Sequence, residues 1–245
     1  MESDVGRETV VLVPGLWLSG WCLLALRRRL ERCGFDARHI FSYPSVSHNL
    51  LENAEALSHY VRDLDAPVVH LVGHSLGGLV IRALFHQHPE QPRGRIVTLG
   101  SPHRGSYPAS VLARTRLGRQ IAGNSIQQLL AGMPEYWELP ARDFGVICGD
   151  LGIGMGRLFP GFVKPNDGVV ALAEAQFPGA TDHITLHVAH TAMLVSKQIA
   201  HQVCYFLKNG RFDPGHEAQR QTGDRRDSQK AVRSEERGVK LPCFF

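Results

Sequence analysis

No uninterrupted apolar stretch in this chain approaches the roughly 18 residues that a membrane-crossing helix needs, so no transmembrane segment is expected. The first residues, Met-Glu-Ser-Asp-Val-Gly-Arg-Glu, are acidic and polar. They lack the basic stretch and apolar core of a secretory signal. Cysteine is scarce as well. The five present, Cys22, Cys33, Cys148, Cys204 and Cys243, are odd in number and widely spaced, with no C-x-x-C pair and no zinc spacing. The expectation is a reduced, cytoplasmic protein whose thiols are mostly buried as small hydrophobes. A net charge of +4 is mild, and no basic stripe is interleaved with aromatics, so nucleic acid is not an expected partner.

What is present is ordinary globular material. Hydrophobic residues make up 43% and charged residues 20% of 245, enough for one large α/β domain. Apolar runs rich in β-branched residues recur at 9–13, 39–43, 68–72, 95–100, 144–149 and 182–189, and each predicts a strand. Helical spacing fills 19–32, a stretch to about 64 that Asn49 N-caps, 76 to about 89, and 191–208. In the second of these helices Asn53, Glu55 and Arg62 are placed on the wet side. Strands alternating with helices imply a mostly parallel sheet covered on both faces. Residues 1–210 are expected to form that single domain. Charged residues with few apolar anchors fill most of 211–245, which reads as a disordered tail. Between 103 and 142 the pattern breaks into short pieces, one of them opened by a Ser-x-x-Gln capping box at Ser125. A stretch of this length without regular structure is usually functional, and a small cap over a site is expected there.

The chemistry concentrates at Gly73-His74-Ser75-Leu76-Gly77. A β-rich run enters this Gly-x-Ser-x-Gly turn and a helical pattern leaves it, which is the context of a nucleophile elbow. Glycines at 73 and 77 remove the Cβ atoms that would meet the reversing chain. The helix that starts near Leu76 aims its dipole at the Ser75 hydroxyl. A serine is a poor nucleophile without a base beside it. On an elbow of this kind the acid and then the histidine follow the serine along the chain. His190 is favoured as the base, at the junction of the last strand and the last helix. His183 and His187 are four residues apart in a strand and share one face, which suits packing or the surface. No carboxylate or cysteine spacing makes them a metal site. For the acid, position alone leaves Asp150 and Asp167 open. The run Gly152-Ile153-Gly154-Met155-Gly156 lacks a full dinucleotide fingerprint and the helix that should follow it.

Four motifs then appear in order: Gly-His-Ser-Leu-Gly-Gly at 73–78, Gly-Ser-Pro-His-Arg-Gly-Ser at 100–106, Asn-Asp-Gly-Val-Val at 166–170, and the late His190. Together, over about residues 8–208, they resemble the α/β-hydrolase superfamily in its lipase- and esterase-like branch, of the bacterial triacylglycerol lipase type. The resemblance implies an α/β-hydrolase fold and the triad Ser75, Asp167 and His190. It also implies an oxyanion hole from the backbone N–H groups of Leu16 and Leu76. Relatives carry His-Gly where this chain has Pro14-Gly15. The donor is Leu16, which keeps its N–H. The implied activity is hydrolysis of a small-molecule or lipid ester through an acyl-enzyme, without cofactor or metal. An acyltransferase or thioesterase on the same triad, or a ligand-binding protein without catalysis, are the competing readings. Trp17, Trp21 and His74 are expected to border the acyl pocket, with Trp137 either core or substrate contact. Any contact with a membrane surface would be transient, and the oligomeric state leaves no signal in the sequence.

Overall fold

The computed structural model describes residues 8–132, 137 and 140–215. The predicted tail from 216 onward and the remaining positions of the 103–142 segment lie outside them. The chain divides into two units, Met1–Phe212 and Asp213–Phe245, and all elements named below belong to the first. Six strands form one parallel sheet: β1 (Thr9–Val13), β2 (Asp36–Ile40), β3 (Val69–His74), β4 (Ile96–Leu99), β5 (Phe144–Gly149) and β6 (Asp182–Leu186). Their order across the sheet is β2-β1-β3-β4-β5-β6. The four strands β1, β3, β4 and β5 are buried along their whole length. That burial explains their unbroken apolar runs, since a parallel sheet with helices on both faces has no wet side.

Alternation along β1 separates two cores. Val11 and Val13 face one core, with α2 (Leu50–Asp63) and α3 (Leu76–Gln87). Val10 and Leu12 face the other, with α1 (Leu24–Arg32) and α7 (Lys197–Asn209). The cap on α2 forms as expected: Asn49 Oδ1 accepts from the Glu52 N–H at 2.9 Å, and Glu52 Oε2 accepts from the Asn49 N–H at 2.8 Å. Ser196 Oγ caps α7, and Gly210 ends it in the left-handed region. Phe212, just beyond, packs on Phe206 and is buried. No helix among the described residues is long and apolar enough to cross a membrane.

Several local expectations are corrected. The strand placed at 39–43 runs over Asp36–Ile40; just beyond it Phe41 packs on Tyr60 of α2 and stacks on Tyr43. Asn53 is fully buried, and its side-chain amide donates to Ser125 Oγ at 3.3 Å. Ser125 in turn donates to the His48 carbonyl at 2.8 Å, so it ties two helices together and caps neither. The irregular-looking segment holds α4 (Tyr107–Leu112) and α5 (Arg116–Leu130), capped by Ser106 and Thr115. Gly123, at φ 78°, kinks α5, which hides its periodicity from the sequence. A last short helix, α6 (Leu172–Ala175), precedes β6.

The expectation of reduced thiols also fails. Cys33, at the end of α1, is disulfide-bonded to Cys204 in α7, with Cα atoms 6.3 Å apart. The two positions are 171 residues apart in sequence, so no local spacing could reveal them. Disulfides persist in oxidising compartments, and the thiol argument for a cytoplasmic location falls with this bond. Cys148 is free and buried, as expected, whereas Cys22 is free and exposed. Replacing Cys33 with Ser should lower the unfolding free energy by about 2–4 kcal/mol. Urea denaturation of variant and parent, each with and without reductant, reads this directly: reductant should weaken only the parent.

Candidate active site

The sharp turn between β3 and α3 holds Ser75 at φ 53° and ψ −122°, outside the regions a side chain prefers. Such backbone strain costs about 1–3 kcal/mol and needs its surroundings to enforce it. Those surroundings are close. A Cβ on Gly73 would lie 2.6 Å from the Gly78 nitrogen, and one on Gly77 would lie 2.2 Å from the Val13 carbonyl oxygen. One on Gly78 would meet Ser101 Oγ at 2.1 Å. The Ser75 N–H donates to the Leu99 carbonyl at 2.8 Å, fixing the turn to the end of β4. Its hydroxyl makes no capping bond and stays available at the tip. Leu76 opens α3, where a first-turn N–H has no acceptor within the helix.

Asp167 and His190 meet beside this turn although 23 residues separate them. His190 Nδ1 and Asp167 Oδ2 are 2.7 Å apart, and both side chains are buried. The other oxygen, Oδ1, accepts from the N–H groups of Val169 at 2.9 Å and Val170 at 2.7 Å. A backbone bond from the His190 N–H to the Asp167 carbonyl, 2.8 Å long, fixes the two main chains as well. The Asn-Asp-Gly turn is what aims Oδ1 at its own backbone and leaves Oδ2 for the imidazole. With the Nδ1 proton donated to a carboxylate, Nε2 carries the lone pair. The two rivals have paired with each other: His187 Nδ1 lies 2.8 Å from Asp150 Oδ1 on the surface, with the imidazole 69% exposed. His183 sits on β6, its Nε2 accepting from the Phe177 N–H at 3.4 Å.

Two glycines given no role by the sequence lie directly against the pair. Gly100 has φ +56°, and a Cβ there would stand 2.8 Å from Asp167 Oδ2 and 3.0 Å from His190 Nδ1. At Gly149 a Cβ would meet Asp167 Cβ at 2.8 Å. Gly100 directly follows β4, and Gly149 ends β5. That position is the one available signal, since the carboxyl ends of parallel strands are where ligands bind.

His74 supports His190 from behind. Its Nε2–H donates to the His190 carbonyl at 3.1 Å, and the two ring centres are 4.6 Å apart. Burial, reinforced by the neighbouring His190, pushes its pKa down to about 3, so the ring is neutral. Burial and the Asp167 carboxylate push the Cys148 thiol up to about 12, and it does not compete for protons. On the opposite wall the Pro14 carbonyl accepts from the Tyr43 hydroxyl at 2.7 Å. A Cβ at Gly15 would lie 2.9 Å from Ser75 Cβ, so the Pro14-Gly15-Leu16 loop runs directly over the serine.

Ser75, His74, His190, Leu16 and Leu76 all open on one cavity of about 240 Å³. Its walls are apolar: Trp17 and Leu18 from the first loop, Pro108 and Leu112 from α4, Ile126 and Leu129 from α5, and Met155 and Phe159 opposite. Trp21 lies outside. It is 81% exposed, because the 3-10 turn Gly20–Leu23 points Leu23 into the core and the indole away. Trp137 is buried core, stacked on His86.

Two expectations follow. Gly100→Ala should cost about 2 kcal/mol or more, since a Cβ enters a positive-φ position already filled by the pair. Chemical denaturation reads the loss, and proton NMR should show the His190 Nδ1–H resonance shifted or absent. The second concerns acid. Burial depresses the pKa values of His70, His74 and His103 below the ordinary 6.5. Below pH 6.5 the unfolded chain takes up protons that the folded one refuses, so stability is full above 6.5 and falls as pH drops toward 3. Each such histidine contributes up to about 1.4 kcal/mol per pH unit in that window. Urea titrations at pH 7 and pH 5 should show this, with a flatter dependence in His103→Phe.

Comparison with known proteins places this geometry. The family model described as "Alpha/beta hydrolase family" matches residues 10–224. Sequence comparison with curated proteins returns no match. Among solved structures, the mature form of Bacillus licheniformis lipase BlEst2 is similar with a TM-score of 0.70, at 20% identity over 84% of this chain and 93% of that one. The phospholipase PlaB of Legionella pneumophila gives a TM-score of 0.61 at 15% identity, over 84% of this chain and 60% of that one. A metagenomic carboxyl esterase, MGS0156, gives 0.59 at 18% identity, over 76% and 65%. At these identities the likeness is one of fold. The family match spans most of the chain, the sheet is parallel with helices on both faces, and the serine stands on a strained strand-to-helix turn: the chain belongs to the alpha/beta hydrolase family.

Proposed function

We propose that this hydrolase cleaves carboxylic esters with an apolar acyl group, through an acyl-enzyme on Ser75. The observation that carries the proposal is the buried Asp167–His190 pair opening on the same apolar cavity as the strained serine. In this reading His190 Nε2 takes the Ser75 hydroxyl proton as Oγ attacks the ester carbonyl carbon. Asp167 holds the imidazole in the Nδ1–H tautomer and stabilises the imidazolium that forms. The N–H groups of Leu16 and Leu76 receive the oxyanion, and each such donor is worth about 10²–10³ in rate. As the tetrahedral centre collapses, the C–O bond to the alcohol breaks and His190 returns the proton to the leaving oxygen. Water, deprotonated by the same imidazole, then attacks the acyl-enzyme and releases the acid and Ser75.

Pro14 is compatible with this chemistry. It removes no donor from the oxyanion position, and its carbonyl, turned to Tyr43, holds the loop in place. Within the 103–142 segment, α4 and α5 serve as the cap and wall the cavity. The names of similar structures, a lipase, a carboxyl esterase and a phospholipase, suit an apolar acyl group.

A fluorophosphonate probe tests the proposal. The parent protein should be labelled, Ser75→Ala should not, and His190→Ala should react far more slowly. With p-nitrophenyl esters, Asp167→Asn should lower kcat by about 10⁴-fold with its fold intact by circular dichroism. A folded parent that neither takes the probe nor cleaves any ester would overturn the assignment.

A further inference from the structure

Trp17 stands where a turn ordinarily places glycine. The Leu18 N–H donates to the Gly15 carbonyl at 3.2 Å, which closes a β-turn over Gly15-Leu16-Trp17-Leu18. The third residue of that turn, Trp17, has φ +60°. A positive φ at this place favours glycine or asparagine, because a larger side chain crowds its own backbone there. A tryptophan in such a conformation has to be held by its surroundings, and residues of this kind cluster at functional sites. Leu16, whose N–H is proposed to meet the oxyanion, is the second residue of the same turn.

Both N–H groups of this tryptophan are bonded to other parts of the chain. The main-chain N–H donates to Ser45 Oγ at 3.3 Å, and the indole N–H donates to the Ile121 carbonyl at 3.2 Å. Ile121 lies in the last turn of α5 before the break at Gly123, where carbonyls lack a donor within the helix. The same break lies against the residues that follow Ser45. A Cβ at Gly123 would stand 2.4 Å from the Val46 carbonyl oxygen. The Asn124 N–H donates to that oxygen at 2.9 Å, and the Asn124 side-chain amide donates to the Ser47 carbonyl at 2.7 Å. With the Tyr43 hydroxyl on the Pro14 carbonyl, the stretch 43–47 grips the first loop at two points and α5 at its kink. Trp17 closes the circuit between loop and helix. Its φ and the ψ of Leu16 orient the peptide between them, so a turn released from these bonds can flip that peptide and no longer holds Leu16 still.

We propose that Trp17 is a positioning residue, whose indole N–H ties the kink of α5 to the first loop and so keeps the Leu16 N–H aimed at the reacting carbonyl. The catalytic half of this inference rests on the ester-hydrolase reading, whereas the tie between loop and helix does not. The Trp17 ring also lines the cavity. As a wall alone it would act on substrate binding. As a tie it acts on the oxyanion, which forms only after attack.

Trp17→Phe keeps an aromatic wall and removes the indole N–H. With a soluble p-nitrophenyl ester, kcat should fall about fivefold, as for the loss of one neutral hydrogen bond, while KM stays within about twofold. A trifluoromethyl ketone of the same acyl chain adds reversibly to Ser75 and places its oxyanion in the hole, so its affinity should fall by the same factor. Replacing Trp17 alone with 3-benzothienylalanine, a bicyclic ring with sulfur in place of the N–H, should reproduce both losses. Trp21→Phe should change neither. Amide hydrogen exchange followed by NMR reads the tie without any chemistry at the serine. The Leu18 and Asn124 N–H groups should both exchange about fivefold faster in Trp17→Phe, and at the parent rate in Trp21→Phe. Unchanged kcat in the Trp17 variants, or a raised KM with kcat kept, would overturn the positioning role. So would exchange left unaltered at either amide. If both amides exchange faster and the folded parent cleaves no ester, the tie stands and the hydrolase reading fails.

Discussion

Close approach of main chain at the carboxyl ends of β1, β3, β4 and β5 is the constraint on which the rest of this molecule depends. Val13 meets the elbow through Gly77, Ser101 through Gly78, and Asp167 rests against Gly100 and Gly149. At each junction a single methyl group would fill space that another atom already occupies. The strain at Ser75 persists because these contacts leave the turn no alternative, and the apolar strands below supply the stability that offsets it. The site is therefore a property of the sheet's edge as a whole. No one loop holds it.

Burial also settles the protonation of the neighbourhood. His74 is kept neutral behind His190, and Cys148 is kept protonated beside Asp167. His74 and Cys148 therefore add no charge beside the Asp167–His190 pair. A neutral His74 donates to the His190 carbonyl without placing a positive charge beside the pair. Exposed groups of the same kinds, such as His187 with Asp150, pair with each other at the surface.

Much of this was legible in the sequence because the relevant signals are local. The elbow needs its glycines within five residues, and the Asn-Asp-Gly turn and the Asn49 cap are equally short-range. The strands of the buried sheet declare themselves as unbroken β-branched runs. What escaped depends on distance or on hidden geometry. Gly100 looks like any strand-ending glycine until Asp167, far along the chain, is seen against it. Asn53 reads as a wet helix position because its partner, Ser125, lies on α5. That helix was obscured in turn by the kink at Gly123, which shifts its apolar stripe. Trp21 misleads for a similar reason: a 3-10 turn advances 120° per residue, not 100°, and carries the indole away from the cavity that Trp17 borders.

The Cys33–Cys204 bond has a topological consequence. It closes a covalent ring of main chain that contains Ser75, Asp167 and His190, together with α4 and α5. A single cut by a protease anywhere inside that ring, including in the segments around the cavity mouth, breaks the chain but does not divide the molecule. The fragments stay one covalent entity in an oxidising medium, with both ends of the ring anchored on the α1 and α7 face. Exposed segments within the ring can therefore be nicked without Ser75 parting from His190.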